Sequence, residues 1–270
     1  MKRRVSALAI ATAALWSASA VSATTDPPAD PAAPTTTTTT TTTPTTTTSA
    51  PVEEIPVGMS VEGRPITATR RGDPDGRRVL IFGVIHGDEV AGLQIVALLN
   101  ELPVPPGVDL YLVDSMNPDG VANGVRTNAN GVDLNRNFPY NWGPIAEPGD
   151  WQYAGPAAAS EPETRAAVEL ISALRPDLVI WYHQDAYSIG PGEGRDGAIR
   201  SRYAELTGLP MVSVTGGTYT GVAAQWARQQ LSANELQPGV AFIVELGPTL
   251  SADEARLHAE AVMTIAGEPN

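Results

Sequence analysis

Residues 79–89, VLIFGVIHGDE, join an apolar run to two side chains that can bind a metal. Residues 79–85 are almost continuously apolar, as expected of a strand covered on both faces of a parallel sheet. His86 and Glu89 follow this run directly and lie three residues apart, so an imidazole and a carboxylate can turn towards one cation. The stretch therefore predicts a buried strand that ends at a metal site.

A third ligand is available at the end of a second apolar run, residues 178–182, which His183 follows. An isolated histidine is equally well explained as a core or turn residue. Two of the chain's three histidines end apolar runs, however, and this favours a metal. Two histidines and one glutamate, with a fourth position open to water, form the ligand set of a catalytic zinc site. We therefore predict one zinc ion, bound by His86, Glu89 and His183.

From about residue 52 onwards, strand-like runs alternate with helical patterns. The patterns predict a hairpin over 55–71, further strands over 79–85, 108–113, 177–183, 211–214 and 240–246, and helices over 89–102, 160–174, 198–207, 222–231 and 251–265. Ser160-Glu161-Pro162-Glu163 has the pattern of a capping box, and Ser251-Ala252-Asp253-Glu254 is predicted to cap the last helix. Short connections between alternating elements predict a single α/β domain with a mixed, mostly parallel central sheet flanked by helices. Residues 117–159 lack periodicity, and a segment of this length in a compact domain is usually functional.

The first fifty residues differ in composition from the rest of the chain. Residues 1–23 combine a basic start, a short apolar run and a small-residue end, which is typical of a cleavable signal peptide. Residues 24–52 are rich in threonine and proline and have almost no apolar side chains to bury, so we expect a disordered linker. The catalytic domain is then expected over 53–270, in a secreted, extracytoplasmic protein.

The charge of the chain excludes several partners. The formal net charge is −13 at pH 7, and an acidic surface disfavours nucleic acids and anionic lipids. The apolar run near the N-terminus is too short for a membrane span. The chain has no cysteine, so no disulfide framework can form. We expect neither a nucleic-acid partner nor an integral membrane span.

The aperiodic segment also contains two arginines in an otherwise acidic protein. Arg126 precedes the stretch 131–139, GVDLNRNFP, which includes Asn135 and Arg136. Arginine offers a fixed fork to carboxylates, and a neighbouring asparagine adds a donor. Composition alone leaves open the alternative that both arginines form weak ion pairs at the surface.

Five stretches together resemble the M14 family of zinc carboxypeptidases in their order and approximate spacing, over residues 55–266. They are His86-Gly87-Asp88-Glu89, Asn117-Pro118-Asp119-Gly120, residues 131–139, His183 and Val244-Glu245-Leu246. Within that family, the short connection from Arg126 to Arg136 and the helix start at Ser160 resemble the bacterial murein peptide amidase A branch. Enzymes of that branch hydrolyse the γ-D-glutamyl to diaminopimelate bond of cell-wall peptides.

The resemblance assigns a role to each matching residue. It implies that His86, Glu89 and His183 are the zinc ligands, that Glu245 is the general base, that Arg126 stabilises the oxyanion, and that Asn135 and Arg136 grip the terminal carboxylate of the substrate.

Two departures from the family pattern concern the substrate pocket. Gly216 or Gly217 stands where many digestive members have a mobile tyrosine, and nearby Tyr219 is either its substitute or a packing residue. Residues 221–225, which should line the side-chain pocket, contain no acidic residue, and this argues against a plain Lys/Arg carboxypeptidase. For the ammonium and carboxylate of diaminopimelate, the candidate partners are Asp185, Glu193 and Asp196, with solvated surface as the alternative.

These observations predict a secreted zinc metallopeptidase that hydrolyses a C-terminal amide bond, γ-D-Glu–meso-diaminopimelate in murein peptides, with metal-activated water and Glu245 as base. One alternative is a general extracellular metallocarboxypeptidase acting on other peptides with a free C-terminal carboxylate. Another is an inactive homologue that binds wall peptide. A related acyl-amino-acid deacylase is disfavoured because Asn135 and Arg136 lie in the full GVDLNRNFP context.

Overall fold

The computed structural model describes residues 52–232 and 238–269. The predicted signal peptide lies outside the described residues, as does the predicted linker except for Val52. Seven strands are formed: β1 Glu53–Met59, β2 Pro65–Gly72, β3 Arg77–Val84, β4 Val108–Ser115, β5 Leu178–Gln184, β6 Ser188–Ile189 and β7 Val240–Leu246.

The strands form one mixed sheet in the order β1-β2-β4-β3-β5-β7-β6. The four central strands β4, β3, β5 and β7 are parallel, whereas β1 and β2 on one side and β6 on the other are antiparallel to their neighbours. Parallel strands covered on both faces read as continuous apolar runs, and β3 and β5 do so. The predicted fold class is confirmed.

Helices cover both faces of the sheet. Their bounds are α1 Gly92–Glu101, α2 Pro118–Asn123, α3 Pro162–Leu174, α4 Gly194–Thr207, α5 Ala223–Leu231 and α6 Ala252–Gly267. One core cluster lies between the sheet and α1, α4 and α6, and the second lies between the sheet and α3 and α5. Within the part of the chain that is described, no helix is both long and apolar enough to cross a membrane.

Local interactions shift some elements from their predicted bounds. Helix α1 begins at Gly92 rather than at 89, which leaves Glu89 in the loop after β3. The capping box predicted at Ser160 is wrong: Glu161 is the N-cap of α3 without a side-chain cap, and the Ser160 hydroxyl donates to its carboxylate. The strand predicted over 211–214 is also wrong, because only Met211 forms an isolated bridge, to Ile189.

Candidate functional site

The candidate site residues gather at the carboxyl ends of three neighbouring parallel strands. His86 and Glu89 follow β3, His183 is the penultimate residue of β5, and Glu245 is the penultimate residue of β7. Strand β5 lies between β3 and β7, and His183 is directly paired with Glu245 in the register. The crevice beyond the carboxyl ends of parallel strands is where open α/β sheets bind their ligands.

The three predicted ligands lie within reach of one metal ion. Nδ1 of His86 is 2.9 Å from Oε1 of Glu89, and Nδ1 of His183 is 3.0 Å from Oε2 of the same carboxylate. One ligand atom from each residue lies within 4.8 Å of the other two, and all three residues are buried. No other group of this kind occurs among the described residues. Two imidazole nitrogens and one carboxylate fit the donor preference of zinc and leave room for a fourth ligand.

The charges at this centre favour a cation. Burial raises the pKa of Glu89, but hydrogen bonds to His183 and His86 outweigh it and hold the pKa well below its usual range. Burial lowers the pKa of His86, but the nearby carboxylates of Asp133 and Glu89 outweigh it, so the pKa is raised. Glu89 is therefore a carboxylate, the form that binds metal, and the negative field that attracts a proton to His86 also attracts a metal ion.

Asp133, within the stretch 131–139, is a further residue of the site, and the sequence pattern assigned it no role. Its Oδ1 lies 3.0 Å from Nε2 of His86, and its Oδ2 accepts hydrogen bonds from Nε and Nη2 of Arg126 at 3.2 and 3.0 Å. A carboxylate on Nε2 fixes the tautomer that leaves the Nδ1 lone pair free for a metal. The sequence offers one clue to Asp133: aspartate is a preferred N-cap residue, and Asp133 caps the 3₁₀ turn Leu134–Arg136.

Arg126 lies against both carboxylates of the centre. Its Nη1 donates to Oε1 of Glu89 at 2.8 Å, while Asp133 takes two further N–H groups. The face of the guanidinium lies over the ring of Trp151, with Cζ 5.1 Å from the ring centroid. Arg126 also lines the cavity, so it is not an isolated surface ion-pair partner.

Arg136 is buried, and no carboxylate among the described residues forms an ion pair with it. Only 4% of its surface is exposed, its Nη1 donates to the carbonyl of Asn135 at 2.8 Å, and its Nε has no hydrogen-bond partner among the described residues. Burial lowers the pKa of Arg136, although a guanidinium stays charged. The alternative of a surface ion pair is therefore wrong for Arg136, which is buried and lines a cavity.

Asn135 connects this arginine to the metal centre. Its Oδ1 accepts from the backbone N–H of Ala223 at the start of α5, at 2.9 Å. Its Nδ2 lies 3.5 Å from Nε2 of His183. The same side chain thus lies against both the cavity wall and the candidate metal centre.

The stretch Asn117-Pro118-Asp119-Gly120 supports the loop that carries His86 and Glu89. Nδ2 of Asn117 donates to the carbonyls of Ile85 and Arg126, both at 3.2 Å, and its Oδ1 caps α2. A Cβ on Gly87 would lie 1.9 Å from the carbonyl carbon of Gly120, so only glycine allows this contact. The motif positions the metal ligands and does not supply one.

One cavity of about 630 Å³ includes the three candidate ligands, Arg126, Asn135, Arg136 and Glu245 in its lining. Val222, Ala224 and Gln225 line it too, as expected of the segment at the start of α5. Asp185, Glu193 and Asp196 do not line it, contrary to the expectation that they face the substrate side chain. Arg200 and Arg228 line it instead.

Tyr219 stands at the edge of this cavity, next to Gly216 and Gly217, which also line it. Its side chain is 42% exposed, and its ring lies 5.1 Å from Cζ of Arg136. Tyr219 is thus beside the arginine predicted to grip the substrate, and not packed in the core.

Comparison with known proteins decides the family. The sequence model described as zinc carboxypeptidase, Peptidase_M14, matches residues 43–189, which is more than half of the chain. The chain belongs to the M14 family of zinc carboxypeptidases. This family membership implies zinc as the metal, and the cluster of His86, Glu89 and His183 is the described group that can bind it.

Several known proteins are similar to this chain over different shares of its length. Murein peptide amidase A of Escherichia coli strain K12 is 31% identical over 180 residues, which cover 63% of this chain and 74% of that protein. The crystal structure of the murein-tripeptide amidase of Escherichia coli O157 has a TM-score of 0.62 at 25% identity and covers 82% of this chain and 94% of that one. The mouse carboxypeptidase N catalytic chain is 32% identical over 162 residues, 44% of this chain and 34% of its own length.

These M14 relatives are hydrolases, and the predicted enzyme class, a metallocarboxypeptidase or murein peptide amidase type of hydrolase, is confirmed. The roles of individual site residues stay predictions.

Proposed function

We propose that this M14 enzyme hydrolyses the γ-D-Glu–meso-diaminopimelate bond at the C-terminal end of murein peptides. The observation that carries the proposal is a single cavity that joins the His86, Glu89 and His183 cluster to the buried, unpaired Arg136. A peptide whose terminal carboxylate meets Arg136 has its last amide bond close to a metal centre. The similarity to murein peptide amidase A supports this choice of substrate.

His86, Glu89 and His183 would hold the zinc ion. When bound, zinc supplies a Lewis acid that polarises the scissile carbonyl and makes water a better nucleophile near neutral pH.

Glu245 is proposed as the general base. Its carboxylate lines the cavity beside His183, its neighbour in the β5–β7 register. A carboxylate at this place can take the proton of the attacking water and deliver it to the departing amine of diaminopimelate, so that the C–N bond breaks without forming an amide anion.

Arg126 is proposed to stabilise the oxyanion. Three of its five N–H groups are used by Glu89 and Asp133. These two carboxylates fix the plane of the guanidinium, so the remaining donors are held in place before substrate arrives. Preorganised donors of this kind lower the barrier because they need no rearrangement as charge develops.

Arg136 and Asn135 are proposed to bind the terminal carboxylate. The fork of Arg136 matches both oxygens of a carboxylate, and burial strengthens the interaction. Cleavage is then restricted to the last residue of the chain.

We also propose that the enzyme is secreted. The basic, apolar and small-residue pattern of residues 1–23 supports export, and the threonine-rich stretch 24–52 supports a tether between the leader and the enzyme. A secreted enzyme meets its murein substrate outside the cytoplasmic membrane.

Digestion of L-Ala-γ-D-Glu-meso-diaminopimelate by the zinc-loaded protein, followed by mass spectrometry, tests this function. We expect release of free diaminopimelate, loss of activity with a chelator and recovery on adding zinc. Benzoyl-glycyl dipeptides are digested in parallel. If they alone are cleaved, the enzyme is a general carboxypeptidase; if zinc binds and nothing is cleaved, the chain is a binding homologue.

A further inference from the structure

The far end of the substrate cavity has an unbalanced positive charge. Arg200 on α4 and Arg228 on α5 both line the cavity, and both donate to the carbonyl of Ala241, at 3.1 and 2.9 Å. Ala241 precedes Glu245 by four residues on β7, roughly 13 Å along the strand at the usual rise. The two guanidiniums therefore lie well away from the candidate metal centre.

Strand topology explains why the two arginines meet there. The two-residue strand β6 pairs only with Val244 and Glu245, so the preceding part of this edge of β7 has no partner from β6. The guanidiniums of Arg200 and Arg228 satisfy the Ala241 carbonyl instead. Arg228 follows Ala224 by four residues on α5, and this spacing places it on the helix face that lines the cavity.

Arg200 is largely engaged by its surroundings, through an ion pair and hydrogen bonds from both of its terminal nitrogens. Its Nη2 donates to Oδ1 of Asp196 at 3.1 Å, its Nε lies 2.7 Å from Oδ2 of the same carboxylate, and its Nη1 donates to the carbonyl of Gly190 at 3.2 Å. Asp196 therefore neutralises Arg200. This side chain builds the end of the cavity and has little left to offer a ligand.

Arg228 has no such partner. Among the described residues it makes one hydrogen bond, to Ala241, and forms no ion pair, so four of its five N–H groups are free. Burial and the charge of Arg200 lower the pKa of Arg228, and Asp196 opposes them; the guanidinium stays ionised. The acidic residues that line the cavity, Glu89 and Glu245, both lie at the metal end.

We propose that Arg228, held in place by the carbonyl of Ala241, binds a carboxylate at the end of the side chain of the substrate's last residue. This inference rests on the proposed function only for the identity of the substrate's last residue, diaminopimelate. The side chain of diaminopimelate ends in an ammonium and a carboxylate. A half-buried guanidinium without an ion pair among the described residues accepts such an oxyanion and rejects a side chain that ends in an ammonium alone. Arg228 is thereby a specificity-determining residue, and the enzyme separates diaminopimelate from lysine.

A competing explanation places Arg228 in a purely structural role. Arg228 lies in the last turn of α5, where a cation interacts favourably with the helix dipole. Under that explanation, replacing Arg228 lowers stability and leaves substrate preference unchanged. A change in substrate preference, and not a loss of activity alone, therefore distinguishes the two roles of Arg228.

The test uses two substrate pairs that differ in one carboxylate. The first pair is L-Ala-γ-D-Glu ending in meso-diaminopimelate or in L-lysine. The second is benzoyl-glycine ending in L-2-aminoadipate or in its side-chain amide. For the wild type we expect kcat/KM at least about 100-fold higher for the carboxylate member of a cleaved pair, since a site built around a polar group strongly rejects an analogue lacking it. Arg228→Gln should abolish the preference.

Matched variants keep the test interpretable. Arg202→Gln removes the same charge from α4 at a partly exposed arginine that pairs with Glu268 outside the cavity, and it should keep the full preference. Arg228→Lys keeps the charge without the fork of the guanidinium, and it should retain a smaller preference of about 10-fold. This variant provides the test if Arg228→Gln does not fold. Thermal unfolding of each variant checks folding.

The outcomes separate this inference from the proposed function. If only the benzoyl-glycyl pair is cleaved, and Arg228→Gln removes the preference for its carboxylate member, the role of Arg228 is supported and murein is refuted as the substrate. If the diaminopimelate and lysine peptides are cleaved equally well, or if Arg228→Gln keeps the preference for diaminopimelate, the role of Arg228 is refuted and murein is supported as the substrate. If neither pair is cleaved, calorimetry with meso-diaminopimelate and L-lysine decides: tighter binding of diaminopimelate that Arg228→Gln removes supports the inference, and equal binding overturns it.

Discussion

Nε2 of His86 lies 3.0 Å from Oδ1 of Asp133, which leaves Nδ1 on the side of Glu89. The carboxylate thus determines which nitrogen of the imidazole faces the candidate metal. Asp133 also holds Arg126, so one buried side chain positions a metal ligand and the proposed oxyanion donor.

Replacing this carboxylate should weaken metal binding. We predict that Asp133→Asn lowers zinc affinity by about 10–100-fold, the usual effect of losing the carboxylate behind a histidine ligand. Competition with a chelator of known affinity measures it. Asp88→Asn, the same change at an exposed position between the ligands, is the control and should bind zinc normally. Unchanged affinity in Asp133→Asn would show that Asp133 does not orient His86.

Arg136 should determine the requirement for a free C-terminus. We predict that the wild type cleaves peptide acids far better than the matching C-terminal amides, and that Arg136→Gln lowers kcat/KM for the acids by about 100-fold or more, because it removes a buried partner of a carboxylate. Arg256→Gln, at an exposed arginine paired with Glu260, controls for net charge. Equal cleavage of acids and amides by the wild type contradicts the role given to Arg136.

Gly87 should be irreplaceable even by alanine. A Cβ at this position meets the backbone of Gly120 at 1.9 Å, and backbone atoms cannot rotate away as a side chain can. We predict that Gly87→Ala destabilises the fold by about 1–3 kcal/mol and weakens zinc binding, because the loop carrying His86 and Glu89 must shift. Denaturant unfolding measures the first effect. Gly143→Ala, where the nearest atom of another residue is 3.7 Å away, should be close to neutral.

His258 should make the protein sensitive to acid. Burial lowers its pKa from 6.5 to about 4, only partly opposed by Glu254, and its Nδ1 lies 2.7 Å from the hydroxyl of Tyr203. Because the folded pKa is below the unfolded one, the unfolded chain binds the proton more readily. Stability is therefore lost as pH falls from 6.5 towards 4, by about 3 kcal/mol from this residue.

The variant His258→Asn tests that prediction. Asparagine offers a polar atom to Tyr203 but does not titrate, so the difference in unfolding free energy between wild type and variant should shift in favour of the variant as pH falls through this window. Urea unfolding at intervals from pH 4 to 7 measures the difference. A difference that is constant with pH contradicts the titration of His258.

Elements with a strong periodic signal were predictable from the sequence. The apolar runs of β3, β5 and β7 each end near a polar residue of the site, and because parallel strands share an edge, His86, His183 and Glu245 could be expected together. The capping box at Ser251 and Glu254 correctly marks the start of α6. The same pattern at Ser160 failed, because the hydroxyl of Ser160 bonds the side chains of Asn137 and Glu161 instead.

The character of the cavity's far end was not predictable. Asp196 precedes Arg200 by four residues on α4, so the two side chains lie on the same face of the helix and the carboxylate pairs with Arg200. Arg228 enters the cavity because the edge of β7 at Ala241 has no partner strand from β6 and needs a donor. Neither fact is visible in local periodicity, since both depend on how α4 and α5 approach the same strand.

The proposed mechanism requires a zinc ion, which His86, Glu89 and His183 would hold, and the carboxylate of Glu245, which would take the proton of the attacking water. Zinc content by mass spectrometry and turnover of L-Ala-γ-D-Glu-meso-diaminopimelate should be measured side by side for the wild type, Glu245→Gln and His183→Ala. We predict one zinc per chain in the wild type and in Glu245→Gln, with turnover lowered about 100-fold or more in the latter, and neither zinc nor turnover in His183→Ala. Near-normal turnover by Glu245→Gln, or full activity without zinc, would contradict the account.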